Sequence, residues 1–149
     1  MRVRLELMAA GAVVVAVLTT GIAGAQDAYS VLRERLTTIA DLSYQKLARE
    51  VEIVDAATGD TGETTFQPAV GKMYFVYGLC DANCTNIDIE LSDSNDRWFS
   101  ERDQRLDATP VVSIPSADSP REIGITLEMV DCKTVTCKMG IGIYSVEIE

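Results

Sequence analysis

The chain changes its hydrophobic period once. Over residues 27–52, DAYSVLRERLTTIADLSYQKLAREVE, the apolar positions Tyr29, Leu32, Leu36, Ile39 and Leu47 recur at three- and four-residue steps, and Ser43 falls on the same stripe. Arg33, Glu34, Arg35, Lys46, Arg49 and Glu50 lie largely off it, and Asp27 or Ser30 can cap the start. The pattern predicts a single amphipathic N-terminal helix, assigned to residues 26–53. Its stripe either packs on the rest of the protein or serves docking and self-association.

Residues 55–65, DAATGDTGETT, turn abruptly to Gly, Thr and acids and read as a linker or turn. Beyond them the period is two. Met73, Phe75, Tyr77 and Leu79 alternate with Lys72, Tyr74, Val76 and Gly78, and Ile87, Ile89 and Leu91 alternate with Asn86, Asp88 and Glu90. Ile123, Ile125, Leu127 and Met129 repeat the pattern, as do Met139, Ile141 and Ile143. Shorter strands are expected at residues 65–68, 97–101 and 111–114, between turn-rich segments. About seven or eight strands with no helix between them predict a mainly β domain, an antiparallel sandwich over residues 54–149.

The N-terminus adds a compartment. Arg2 and Arg4 precede an apolar run over residues 7–18, and Ala23-Gly24-Ala25 offers the small-x-small pattern of a signal-peptidase site. Residues 1–25 are therefore expected to be a signal peptide cleaved before Gln26, giving a periplasmic or secreted protein with no membrane insertion after cleavage. Loss of Arg2, Arg4 and Glu6 from 13 basic and 23 acidic side chains leaves 11 and 22, a net charge of −11 over 124 residues. Such a field repels nucleic acid and anionic lipid.

In an oxidising compartment an even number of cysteines is read first as disulfides. The four cysteines permit three pairings. Cys80–Cys84 and Cys132–Cys137 are favoured, because each pair brackets a short loop whose ends can reach a Cα separation of about 5.5 Å. Loops this small gain about 2 kcal/mol per bond on the chain-entropy model. Zinc is a poor alternative, since the chain has no histidine and the cysteine spacings are loose.

Several segments in order carry a family likeness: Tyr74-Phe75-Val76-Tyr77-Gly78, Cys80-Asp81 with Cys84, Asn86-Ile87-Asp88-Ile89-Glu90-Leu91, Asp103 and Asp107 before Pro110-Val111-Val112, then the strand from Ile123 to Met129, Cys132, Cys137 and Gly140 to Tyr144. Together they resemble the secreted β-sandwich family of bacterial pre-peptidase C-terminal domains, in particular its small stand-alone, cysteine-bearing relatives. The resemblance covers about half of the chain. It implies a jelly-roll-like sandwich and an accessory or binding role beside secreted enzymes, without catalysis.

The acids supply the candidate ligand site. Asp88 and Glu90 share a strand face, and Asp81, Asp103 and Asp107 join them if neighbouring loops fold over that edge. Five carboxylates of this kind would suit calcium, which takes six to eight oxygens at about 2.4 Å. Against this, acids on every second residue also describe the solvent face of a strand. The absence of histidine rules out Ser-His-Asp and Cys-His catalysis and the HExxH motif. The expectation is a non-catalytic module that binds a protein partner through the helix or through exposed Tyr74 and Tyr144. A calcium- or glycan-binding module is the alternative.

Overall fold

The computed structural model describes residues 23–43, 45–93 and 100–146. One helix, α1 (Ala23–Ser43), precedes eight strands: β1 (Gln45–Ala56), β2 (Thr61–Phe66), β3 (Tyr74–Cys80), β4 (Cys84–Asp93), β5 (Ser100–Asp103), β6 (Val111–Ile114), β7 (Ile123–Cys132) and β8 (Cys137–Val146). The expected signal peptide lies outside the described residues as far as residue 22, and so do residues 97–99 of the strand expected at 97–101.

The strands form two four-stranded antiparallel sheets, sheet A in the order β1-β8-β3-β6 and sheet B in the order β2-β7-β4-β5. Read across the pair, β1 stands opposite β2, β8 opposite β7, β3 opposite β4 and β6 opposite β5. This is the strand order of a jelly roll, a mainly β sandwich. Each of these facing pairs is consecutive in sequence, so the connections β1–β2, β3–β4, β5–β6 and β7–β8 all cross between sheets at one end of the molecule. The segment KTVT is thus a sheet-crossing arch rather than a hairpin turn, since β7 and β8 lie in different sheets.

The inner faces meet in a core of Val76, Ile87, Ile89, Leu91, Ile114, Ile123, Ile125, Met129 and Met139, each at most 1% exposed. A second apolar layer lies on the outside of sheet A. There Leu32 and Leu36 of α1 close over Val51 and Leu79, flanked by Ile39, Ile53 and Tyr77. Burying each leucine contributes roughly 1.5–3 kcal/mol. The helix comes this close because β8 presents Gly140 to it. A Cβ there would lie 3.0 Å from both Leu36 Cδ1 and Ile53 Cγ1.

This layer corrects two expectations. The helix stops at Ser43, and residues 45–53, expected to be helical, belong instead to β1, which pairs with β8. Leu47 and Val51 are four apart and suit a helix, but Leu47, Val51 and Ile53 also share a parity, and the β-branched cluster Val51, Ile53 and Val54 favours the strand. The sandwich therefore starts at residue 45. The supposed linker 55–65 likewise contains only a short turn at residues 57–60 before β2 begins.

Tyr74 and Tyr144, expected to be exposed partner contacts, are buried at 4% and 0% exposure. Tyr74 points inward, its ring edge-on to Phe66 at 4.9 Å and its hydroxyl accepting from Ala69 N. Tyr144 points outward from sheet A, but α1 covers it. Its hydroxyl donates to the Leu36 carbonyl, and its ring meets Tyr77 edge-on at 5.3 Å. Among the described residues no helix is long and apolar enough to cross a membrane.

Leu36→Ala is expected to lower the unfolding free energy by about 2–5 kcal/mol in chemical denaturation, because the rigid sheet below cannot collapse into the gap. Tyr144 supplies a pH signature. Burial, and secondarily the neighbouring Tyr77, push its pKa up to about 12. An unfolded tyrosine loses its proton near pH 10, so above that value the folded state holds more protons than the unfolded one. The stabilisation is complete below about pH 10 and is lost as pH rises to about 12. Stability measured against pH should fall across that window in the wild type and flatten in Tyr144→Phe.

Candidate functional site

The crossing end of the sandwich is built from short arches fastened to one another. Cys80 ends β3 in sheet A and Cys84 begins β4 in sheet B. Their disulfide spans a Cα separation of 5.8 Å, and Cys132–Cys137 does the same between β7 and β8 at 5.9 Å. Both bonds tie one sheet to the other. They sit side by side, because Cys84 and Cys132 are direct partners in the β4–β7 ladder. Two disulfides fit an oxidising, extracytoplasmic compartment.

Hydrogen bonds continue this band sideways. Cys132 N donates to Thr58 Oγ1 at 3.0 Å, joining the β7–β8 arch to the β1–β2 turn. Lys133 N donates to Asn83 O at 2.9 Å, joining it to the β3–β4 arch. On the far side Asp107 N donates to the buried Asn86 Oδ1 and Ile87 N donates to Asp107 O, both at 3.1 Å, which fastens the β5–β6 loop. All four connections are therefore linked across the molecule.

Three of the five candidate calcium ligands serve this network. Asp81 accepts from Asn83 N at 3.0 Å and Lys138 N at 2.8 Å. Asp103 accepts from Arg105 N and Val111 N, both at 3.1 Å, and Asp107 accepts from Thr109 N at 2.8 Å. Short Asp side chains satisfy turn N–H groups in this way wherever the chain reverses.

Asp88 and Glu90 lie elsewhere, on the outer face of sheet B. The ladder sets Asp88 opposite Glu128 and Glu90 opposite Arg102. Arg102 then stands 3.9 Å from Asp88, 3.6 Å from Glu90 and 3.7 Å from Glu128, so a guanidinium occupies the centre of the acidic cluster. With the Gln104 amide oriented to match its neighbours, its oxygen accepts from Arg102 Nη2 at 2.8 Å and Nε at 3.0 Å. The expected five-carboxylate calcium site is not assembled. Among the described residues no group of three or more His, Cys, Asp or Glu side chains could hold a metal. Arg102 and Glu128 were missed because which residue faces which depends on ladder register, although Glu128 does follow the polar parity of its strand.

The surface feature that sequence reasoning overlooked lies on the arches themselves. Leu106 in the β5–β6 loop is 91% exposed and Val135 in the β7–β8 arch is 89% exposed. Both sit in turn-forming context, RLDATP and KTVT, where an aliphatic side chain has no packing role to play. That mismatch was the available signal. The two arches are separated by the β3–β4 arch, about 10 Å at the spacing of neighbouring strands.

The chain matches no protein-family model, and no curated protein or solved structure is significantly similar to it.

Asp81→Ala should leave the Asn83 and Lys138 amides without their carboxylate. The expected loss is about 1–3 kcal/mol per buried donor at most. Amide hydrogen exchange should show faster exchange at those two positions, while the central β4 amides keep their protection.

Proposed function

We propose that this protein is an exported, non-catalytic accessory module of the bacterial envelope or secreted fraction, and that it recognises a partner protein with its disulfide-stapled loop end. The observation that carries the reading is the pair of nearly fully exposed aliphatic side chains, Leu106 and Val135, on loops that disulfides and cross-arch hydrogen bonds hold in place. Two aliphatic side chains held in solvent on braced neighbouring arches are available for burial by a partner surface. Preorganised loops also lose little conformational entropy on association. Burial of each side chain contributes roughly 1.5–3 kcal/mol to a complex.

Export rests on the basic–apolar–small leader over residues 1–25, with cleavage before Gln26, and on the two disulfides. The resemblance to pre-peptidase C-terminal domains supports the accessory role. Docking through the helix is less favoured, because Leu32 and Leu36 are engaged with sheet A.

The test is the double variant Leu106→Asp/Val135→Asp. Since both side chains are exposed, its melting temperature and circular dichroism should match the wild type. Its recovery of a specific partner from the host's periplasmic or secreted fraction should fall sharply. A partner retained in full by this variant would refute the loop-end reading.

A further inference from the structure

Among the described residues, nothing closes the sandwich along the side where β1 and β2 run. Each is the edge strand of its own sheet. A Cβ built on Gly62 would lie 3.3 Å from Met139 Cε and 3.8 Å from Val54 Cγ2, so Gly62 and Val54 both face the interior. Val54 is nevertheless 48% exposed. An inward-facing valine half in solvent marks a slot between the sheets. Its lining includes Gly62, Thr64, Ile125, Leu127, Met139 and Ile141, and its volume is about 60 Å³.

That size decides the class of occupant. Small-molecule sites run to roughly 300–1,000 Å³, and an apolar cavity that binds benzene measures about 150 Å³. The slot accepts the tip of one aliphatic side chain.

The edge beside the slot offers backbone groups as well. Met129 N donates to Asp60 O at 2.9 Å, so the ladder-bonded positions of β2 continue at Gly62 and Thr64. Thr61, Glu63 and Thr65 therefore turn their N–H and C=O groups outward. The Thr65 carbonyl accepts from Arg49 Nη1, while Arg49 Nη2 pairs with Glu52, so Arg49 latches β1 to β2 across one end of the mouth. The outward groups of Thr61 and Glu63 lie past that latch.

The geometry points to a peptide-docking edge. An extended segment of a partner protein adds to β2, hydrogen-bonds to the backbone of Thr61 and Glu63, and inserts an aliphatic side chain opposite Gly62 into the slot. Facing residues in a sheet share a face, so the residue opposite Gly62 points inward over Val54 while its neighbours point outward. The outward neighbour opposite Glu63 is basic, since Glu63 and Glu52 flank the mouth and the chain carries a net charge of −10. The recognised pattern is an aliphatic residue beside a basic one in extended conformation, and a lysine on each side of the valine meets Glu63 in either strand direction.

The probe is the synthetic hexapeptide Thr-Thr-Lys-Val-Lys-Thr, with an Asp-for-Val control, titrated into the protein and followed by calorimetry and amide chemical shifts. The valine peptide is expected to shift Val54, Thr61 and Glu63. The control should bind about tenfold more weakly or worse, from exclusion of one apolar group. Gly62→Val, whose methyl groups fill the slot, should weaken the valine peptide by a similar factor. Equal binding of the two peptides, shifts confined to other residues, or no binding at all would overturn the inference. The control peptide needs no variant, so the conclusion does not depend on Gly62→Val folding. Leu106→Asp/Val135→Asp keeps the slot and should bind the valine peptide normally, which separates failure here from failure of the loop-end reading.

Discussion

Sheet A has hydrophobic layers on both faces, and this double burial governs the rest of the molecule. Its strands β3 and β8 cannot alternate apolar and polar residues, because one side meets sheet B and the other meets α1. Hence β8 carries Met139, Ile141 and Ile143 inward and the small or aromatic set Gly140, Gly142 and Tyr144 outward. Gly140 lets the helix approach the backbone, and Gly142 leaves room for the Tyr144 ring to lie over the sheet. Tyr144 fastens the sheet to α1 by bonding a helix carbonyl through a buried hydroxyl. Among the described residues no helix covers sheet B, and its outer face is accordingly polar around Arg102, Asp88, Glu90 and Glu128.

The same constraint explains what could be read in the sequence. Period two was clear in β4 and β7, whose outer faces are polar, and the sandwich class followed from them. The 111–114 strand and both disulfides were also legible, since a short loop fixes its own ends. In β3 the pattern remained visible while its meaning reversed: Tyr77 and Leu79 face the helix and Tyr74 and Val76 the core. Nothing local separates two buried faces. For β1, a strand lying under a helix shares apolar spacings with that helix, so the boundary at Ser43 was set by pairing with β8 over residues 45–56.

The candidate site was less legible, for a related reason. The acids at 81, 103 and 107 were noticed as chemistry, yet each is used to satisfy backbone N–H groups where the chain turns. A carboxylate in that role has the same sequence appearance as a metal ligand. Arg102 reaches the acidic cluster only through the β4–β5 register, and the exposure of Leu106 and Val135 emerges only once the arches are built.

The placement of the sandwich's own chain ends has a mechanical corollary. Gln45, where β1 starts, is paired with Val146, the last residue of β8, while Ala56 pairs with Cys137 beside the crossing loops. The polypeptide thus leaves β8 at the pole opposite the disulfides. A cargo, bead or neighbouring domain joined after that strand would hang from that pole, with the stapled arches presented at the opposite one.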